Sequence, residues 1–278
     1  MLIGNPMIFR QYHLEEALRL MVRLGYEGIE LWPPQIAVCK TEALRMQLSD
    51  YIRSLGLTPV RLNAADADYF TPLQSRHHVD EDGARIVQGL KRDVDVTLSL
   101  GMKQLLTWEG RTPVNATRAD ISGWIFDATA AILGEALDYA VGRGVSLSVE
   151  VHPFTLGIDV EWLCRLCDHL DANYFGVTYD CCHFGVGLPD DYIAAIRQLG
   201  RRIKHVHFSD SDKHSPELHF APGAGCLDLG GIVRALKDIH FGGTLMLDLW
   251  LYPLPEEGSR TGIPYLRHVM QELNIEPR

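Results

Sequence analysis

Four successive apolar segments in the second half of the chain end in side chains that can bind a metal ion. These side chains are Glu150, Asp180, His207 and Asp248. Each could have a separate structural role, as an ion-pair partner of Lys204, a helix cap or a core histidine. However, an unpaired carboxylate at the end of a buried strand is costly, and a bound cation removes that cost. Three carboxylates and one imidazole form a mostly oxygen ligand set, which favours Mn2+ or Mg2+ and also suits Co2+ or Zn2+.

These segments are the last of eight short apolar segments, rich in β-branched residues, that alternate with stretches of helical period. We predict strands over residues 2–4, 28–31, 58–62, 103–107, 145–149, 175–179, 203–208 and 244–249. An apolar stripe of helical spacing lies between the first two: Leu14, Ala17, Leu18, Met21 and Leu24. Strands that alternate with helices pair in parallel through right-handed crossovers. Eight such units predict an α/β fold, the (β/α)8 TIM barrel.

Glycine follows several of the helical stretches just before a strand, which is a common way for a helix to end. These glycines are Gly25, Gly56, Gly101, Gly144 and Gly242. No linker separates the units, so we expect one domain over residues 1–278. An open doubly wound sheet is the alternative, and it is disfavoured because no Gly-x-Gly-x-x-Gly motif follows the first strand.

The composition excludes several classes of protein. The 26 basic and 36 acidic side chains give a net charge of −10, and 46% of the residues are hydrophobic. A chain of this kind can bury a full core, and its acidity disfavours nucleic acid and anionic membranes as partners. Charged residues from Arg10 to Arg23 interrupt any apolar stretch long enough for a signal peptide or a membrane span. We therefore expect a cytoplasmic protein.

The six cysteines are too few for a disulfide framework, so reduced thiols are expected. Cys164 and Cys167 form a C-x-x-C motif, but no second such pair follows. Both lie on the apolar side of a predicted amphipathic helix over residues 160–170. We interpret them as helix residues rather than as a zinc or redox site.

Further motifs make the chain resemble the xylose isomerase-like barrels, a family that includes sugar phosphate isomerases and epimerases, inosose dehydratase and endonuclease IV-type repair enzymes. The motifs are Gly25-Tyr-Glu-Gly-Ile-Glu30, the strand-ending Glu150, Asp180-x-x-His183, His207-x-x-Asp210 and Pro222-Gly-Ala-Gly225. The resemblance covers nearly the whole chain. It implies that Glu150, Asp180, His207 and position 248 bind the metal. The family has glutamate at the last of these positions, whereas this chain has Asp248.

The resemblance also implies a reaction. In the sugar epimerases of the family, two glutamates are both metal ligands and acid/base groups, which makes Glu150 the stronger catalytic base. Asp248 is the weaker one, because its carboxylate lies one methylene further back. The metal would polarise a small keto sugar or sugar acid and stabilise an enediolate, so we predict an isomerase or epimerase. A lyase that removes carbon dioxide or water from an oxo-sugar acid is the alternative, and a non-catalytic sugar-binding barrel is a remoter one.

An endonuclease is disfavoured, because that branch takes histidines from the ends of the third and fourth strands. Here those ends read Arg61-Leu-Asn63 and Thr107-Trp108-Glu109. Arg61, Asn63, Trp108 and Glu109 are instead candidate substrate contacts. Arg61 and Asn63 alternate on one strand face, so one of them should point into the barrel mouth. A buried arginine would suit a carboxylate or a phosphate, which makes an acid sugar as plausible as a neutral ketose.

The loops after the sixth and seventh strands supply the other candidate substrate contacts, which are His183, Asp210, Lys213 and His219. His183 could contact a substrate oxygen or a second metal, or face solvent. In the epimerases of the family, a basic residue six positions after the ligand histidine contacts substrate, and Lys213 occupies that position. Glu217-Leu-His219 matches only in part the Asp-Arg-His set with which the endonuclease branch binds further metals.

Two more tryptophans, Trp32 and Trp250, follow predicted strands and could be either pocket walls or core residues. The expected partner is a small carbohydrate substrate. Because barrels of this kind commonly pair, a homodimer is the expected assembly.

Overall fold

The computed structural model describes residues 1–64 and 79–275. Its strands are β1 (Leu2–Gly4), β2 (Gly28–Leu31), β3 (Thr58–Asn63), β4 (Gln104–Thr107), β5 (Ser146–Glu150), β6 (Phe175–Asp180), β7 (Ile203–Phe208) and β8 (Thr244–Leu247). All neighbours are parallel, and β8 pairs with β1 to close the barrel. The predicted TIM barrel is confirmed, and each strand end lies within two residues of its predicted position.

Helices connect the strands and pack their apolar faces against the outside of the barrel. The helices are α1 (Leu14–Leu24), α2 (Pro33–Ile36), α3 (Glu42–Ser54), α4 (Val79–Ser99), α5 (Arg118–Asp120), α6 (Phe126–Val141), α7 (Val160–His169), α8 (Cys181–Gly187), α9 (Tyr192–Leu199), α10 (Leu229–Asp238) and α11 (Pro255–Glu272). A π-helical turn, Ile121–Ile125, leads into α6. Within the described ranges, no helix is both long enough and apolar enough to cross a bilayer.

The predicted stripe of α1 packs as its spacing requires. Ala17, Leu18 and Met21 are buried, because residues three and four apart lie on one face of a helix. The helix ends at Gly25, which has a φ of 100° and whose N–H donates to the carbonyl oxygen of Met21 at 3.0 Å. Glycine adopts this left-handed conformation without steric cost, so it ends the helix and turns the chain into β2.

The prediction that a glycine ends the helix is confirmed at three further positions and is wrong at one. Gly56, Gly101 and Gly144 have φ values of 83°, 69° and 70°. Gly242 does not have a positive φ. Instead, α10 ends at Asp238 and His240 takes the left-handed conformation, with a φ of 54°. The chain therefore turns two residues earlier than the glycine pattern suggests.

Side chains alternate between the inside and the outside of the barrel. Along β7, Lys204 is exposed, whereas His205 and His207 are buried. Because all the strands are parallel, their C-terminal ends lie at one edge of the barrel, and the residues that end β5 to β8 meet there.

Cys164 and Cys167 lie on α7, as expected, and both thiols are free. Burial raises the pKa of the Cys167 thiol to about 12, which keeps it protonated. None of the four groups of candidate metal ligands found in the described part of the chain contains a cysteine.

Candidate metal centre and substrate pocket

A pocket of about 210 Å3 lies where the C-terminal ends of the strands meet. Trp32, Trp108 and Trp250 line it, and the rings of Trp32 and Trp250 are in edge-to-face contact with their centroids 5.4 Å apart. The ionisable side chains that line it are Glu30, Glu150, His152, His183, His207, Glu217, His219 and Asp248. The pocket therefore combines aromatic surfaces with a dense set of carboxylates and imidazoles.

The four predicted metal ligands converge at this pocket. The Nδ1 atom of His207 lies 2.6 Å from Glu150 Oε1, 3.5 Å from Asp180 Oδ2 and 3.7 Å from Asp248 Oδ2. All four side chains are buried. One ligand atom from each of Glu150, Asp180 and His207 lies within 4.8 Å of the others, which is compatible with a single ion between them.

Two buried atoms of this cluster have no hydrogen-bond partner. They are His207 Nδ1 and Asp180 Oδ2. Although Glu150 Oε1 is 2.6 Å from His207 Nδ1, the two atoms do not form a hydrogen bond of acceptable geometry. Buried polar atoms are nearly always paired, so two unpaired atoms that face a common space fit a cation, which would take the place of a proton on His207 Nδ1. The residues present therefore fit a divalent metal ion.

The second oxygen of Asp180 has a different task. Asp180 Oδ1 accepts a hydrogen bond of 2.8 Å from the backbone N–H of His183 and thus caps α8. The alternative role of Asp180 as a helix cap is thus present, but it uses only one oxygen. The cap fixes the carboxylate so that Oδ2 faces His207.

The charges in the cluster stabilise one another. Burial opposes the charged form of His207, but the carboxylates of Glu30 and Glu150 outweigh it and hold the pKa of His207 well above its usual range. Burial likewise opposes ionisation of Glu150, but the His207 imidazolium holds the pKa of that carboxyl well below its usual range. A cation bound here would replace the imidazolium proton as the positive partner of the carboxylates.

A group of histidines lies beside the cluster. His183 donates from Nδ1 to the carbonyl oxygen of Val151 at 3.1 Å, which leaves its buried Nε2 without a partner. Burial lowers the pKa of His183 to about 4, so this ring is neutral. The rings of His152 and His183 lie 3.9 Å apart, and those of His183 and His219 lie 5.0 Å apart. The solvent-facing alternative for His183 is therefore wrong.

Four of the eight predicted substrate contacts line the pocket: Asn63, Trp108, His183 and His219. Trp32 and Trp250 are also pocket walls rather than core residues. On β3, Asn63 reaches the mouth, and Arg61 lies two residues deeper in the barrel and is almost fully buried. The prediction that one of these two residues points into the barrel mouth is confirmed, and that residue is Asn63.

The other four predicted contacts have different partners and are not among the lining residues. Arg61 pairs with Glu30 at 3.4 Å, and Glu109 Oε1 accepts from the N–H of Gly157 at 2.8 Å. Lys213 Nζ donates to Pro189 O at 2.8 Å. The carboxylate of Asp210 accepts hydrogen bonds from four backbone N–H groups, those of Ser211, Gly223, Gly225 and Leu227. These side chains hold the walls of the pocket together instead of facing it.

The sequence patterns predict no role for four ionisable residues of the site, which are Glu30, His152, His205 and Glu217. Glu30 and Glu217 occur only within motifs, and no motif contains His152 or His205. Alternation along the strands offered a signal for two of them, because His205 is two residues before His207 and His152 is two residues after Glu150. The signal for Glu30 was weaker, since it needed the closure of the barrel to bring β2 opposite β7.

Comparison with known proteins supports the assignment of the fold. The chain is 24% identical over 248 residues to the inosose isomerase of Bacillus velezensis, with 86% of this chain and 84% of that protein covered. It is 20% identical over 291 aligned positions to the inosose dehydratase of Clostridium perfringens, with 97% and 93% covered. A crystal structure of the IolI protein with a bound zinc atom superposes with a TM-score of 0.79 at 22% identity, and 98% of each chain is covered.

The sequence profile of the xylose isomerase-like TIM barrel family matches residues 18–269, which is most of the chain. The closed eight-stranded parallel barrel agrees with this match. The chain therefore belongs to the xylose isomerase-like TIM barrel family.

Proposed function

We propose that the chain is a divalent-metal-dependent isomerase or epimerase of a small keto sugar or a cyclic polyol ketone. The observation that carries the proposal is the convergence of Glu150, Asp180, His207 and Asp248, with two of their buried atoms unpaired, in a pocket walled by tryptophans. The relatives named inosose isomerase and inosose dehydratase act on ketones of this class by their names, which supports the assignment.

Glu150 is the residue that moves the proton. Its two oxygens face different neighbours: Oε1 lies in the ligand cluster, and Oε2 accepts a hydrogen bond of 3.3 Å from Trp108 Nε1 and lies 3.5 Å from His152 Nε2. When bound, a divalent ion would polarise the substrate carbonyl and so acidify the neighbouring C–H bond. Glu150 Oε2, held by Trp108 at the pocket side of the cluster, is then placed to take that proton and return it.

An uncharged substrate fits the pocket better than an acidic one. No lysine or arginine is among the pocket-lining residues within 1–64 and 79–275. Arg61, the expected anion partner, is instead paired with Glu30. Tryptophan faces pack well against the C–H surfaces of a neutral polyol. We therefore favour a neutral ketose or inosose-like ketone over a sugar acid or sugar phosphate.

A lyase is the second candidate, and one observation favours it. Both oxygens of Asp248 already accept hydrogen bonds from protein groups, so Asp248 suits the role of a held ligand better than that of a second mobile base. Epimerisation needs a proton donor on the opposite face of the substrate, whereas isomerisation and loss of water need only one base such as Glu150.

The metal is expected to be Mn2+ or Mg2+ because the ligand set is mostly oxygen, with Co2+ or Zn2+ as alternatives.

The function is tested by incubating the full chain with Mn2+ and a panel of neutral ketoses, cyclic polyol ketones and oxo-acids in D2O. We expect a product of unchanged formula that carries deuterium next to the carbonyl. A product that is lighter by water or carbon dioxide would show that the chain is a lyase and not an isomerase. Chelated protein and Glu150→Gln serve as controls, and both should be inactive.

A further inference from the structure

A buried carboxylate contacts the far side of the ligand histidine. Glu30, near the end of β2, is fully buried, and its Oε2 accepts a hydrogen bond of 3.3 Å from His207 Nε2. The opposite nitrogen of the same ring, Nδ1, is the atom that faces Glu150, Asp180 and Asp248. Glu30 therefore contacts one side of the His207 ring, and the three carboxylates contact the other.

We propose that Glu30 is a positioning residue that fixes the tautomer and orientation of His207 for metal binding. An imidazole that donates its Nε2 proton to a carboxylate presents an Nδ1 lone pair to a cation. Carboxylates that hold a ligand histidine in this way also make it a more basic ligand. This inference rests on the proposed function, since it needs a metal at the cluster.

Arg61 is a buried ion-pair partner of Glu30 in the middle of the barrel. Its Nε lies 3.4 Å from Glu30 Oε2, and both side chains are about 1% exposed. Arg61 Nη2 in turn donates to Ser148 Oγ on β5, which lies 2.9 Å from Thr178 Oγ1 on β6. Charge compensation and this chain of hydroxyl groups hold the carboxylate against His207.

A second cation at Glu30 is the competing interpretation. Glu30, His205 and His207 also offer one ligand atom each within 4.8 Å of one another. However, the Arg61 guanidinium already lies beside the Glu30 carboxylate and would repel a metal ion there. His205 is held through Nδ1 by Thr244 Oγ1 at 2.6 Å. Its Nε2, 3.8 Å from Glu30 Oε2, is the atom that such an ion would use, so it is Arg61 that disfavours this ion. We therefore expect one divalent ion per chain, bound on the Nδ1 side of His207.

The test titrates Mn2+ into chelator-treated full-length protein and follows the free ion by electron paramagnetic resonance. Wild type should bind one Mn2+. Glu30→Gln keeps the shape and a hydrogen-bond acceptor but loses the charge, and Glu30→Ala loses both. We expect the Kd to rise about 10-fold for the glutamine variant and towards about 100-fold for the alanine variant. Ser49→Ala is the matched control, because it removes another buried hydrogen bond, from Ser49 Oγ to Leu100 O at 2.7 Å, on α3.

A second readout reports the ring itself. Long-range 1H–15N spectra of the zinc-loaded protein should show His207 protonated at Nε2 in wild type and Ser49→Ala, and a mixture of tautomers in Glu30→Ala. Unchanged Kd and unchanged His207 signals in both Glu30 variants would overturn the inference, as would two tight Mn2+ sites in wild type. If wild type binds none of Mn2+, Mg2+, Co2+ and Zn2+, the proposed function fails instead, so the two failures are distinguishable. Should Glu30→Ala not fold, Glu30→Gln alone decides the result.

Discussion

His219 and Asp248 form a buried pair at the pocket, with His219 Nδ1 donating to Asp248 Oδ2 at 2.8 Å. The backbone N–H of Trp250 donates to the other oxygen, Oδ1, at 2.9 Å. The carboxylate of Asp248 is thus held from both sides and retains only lone pairs for a metal ion. Where the family resemblance leads one to expect glutamate, this chain has a shorter acid whose position is fixed by its neighbours.

We predict that Asp248→Glu lowers activity instead of improving it. The longer side chain cannot keep both hydrogen bonds and would push its carboxylate into the ligand cluster. Displacing a group at a catalytic site by about 1 Å lowers kcat/KM by up to about 100-fold. Steady-state kinetics on the substrate identified in the D2O screen measures the effect. A faster variant would mean that the reach of a base at position 248 limits turnover, and it would restore Asp248 as a second catalytic base.

His207→Ala should lose both metal and activity. The substitution removes the only nitrogen among the four ligands and leaves three carboxylates that repel one another. Metal analysis of the purified protein, alongside turnover, checks the prediction. His268→Ala, an exposed histidine on α11, is the control and should keep wild-type metal content. Stoichiometric metal in His207→Ala would show that the ion binds elsewhere.

Arg61→Met should destabilise the fold strongly even though the replacement is apolar and similar in length. It leaves the buried Glu30 without its guanidinium partner, and removing one partner of a buried ion pair costs about 3–5 kcal/mol in free energy of unfolding. The double variant Glu30→Gln with Arg61→Met removes both charges and should recover much of that loss. Urea denaturation of the metal-free proteins measures all three. If Arg61→Met is as stable as wild type, the ion pair does not hold Glu30 in place.

Glu109 gives the stability a pH dependence whose sign follows from its burial. Burial raises the pKa of Glu109 to about 7, whereas in the unfolded chain the pKa is near 4.5. The folded state binds the Glu109 proton more tightly than the unfolded chain does. This proton therefore contributes its full share of the free energy of unfolding below pH 4.5, and that contribution is lost as the pH rises to 7. The loss amounts to about 3 kcal/mol.

The measurement compares the free energy of unfolding of wild type with that of Glu109→Gln across pH 4.5–8. The glutamine variant cannot ionise, so the difference between the two proteins should decrease with rising pH and flatten above 7. A difference that does not change with pH would mean that Glu109 is already charged in the folded protein.

The sequence predicted the barrel well because local patterns carry that information. Strand spans follow from β-branched apolar runs, and the ends of α1 and α3 follow from Gly25 and Gly56. The convergence of Glu150, Asp180, His207 and Asp248 could be predicted for the same reason, since each lies at a strand end and parallel strands end at one edge. These are properties of short stretches of chain combined with one rule of topology.

The remaining parts of the site depend on contacts between distant segments. Nothing near Arg61 in the sequence indicates that its partner is Glu30 rather than a substrate anion, because closing the barrel creates that pair. Lys213 and Glu109 likewise turn to partners fixed by loop geometry, Pro189 and Gly157. Residue type alone predicted what these groups could bind, but it did not predict which way they face.

The carboxylate of Asp210 ties together both ends of the loop over residues 211–227, which carries Glu217 and His219. Four amide protons on the two sides of this loop share a single buried acceptor group. They should therefore exchange with solvent deuterium in one cooperative opening event instead of fraying one by one. Because these four hydrogen bonds are made within the chain, we expect that ligand binding does not have to offset the entropy of ordering this wall of the pocket.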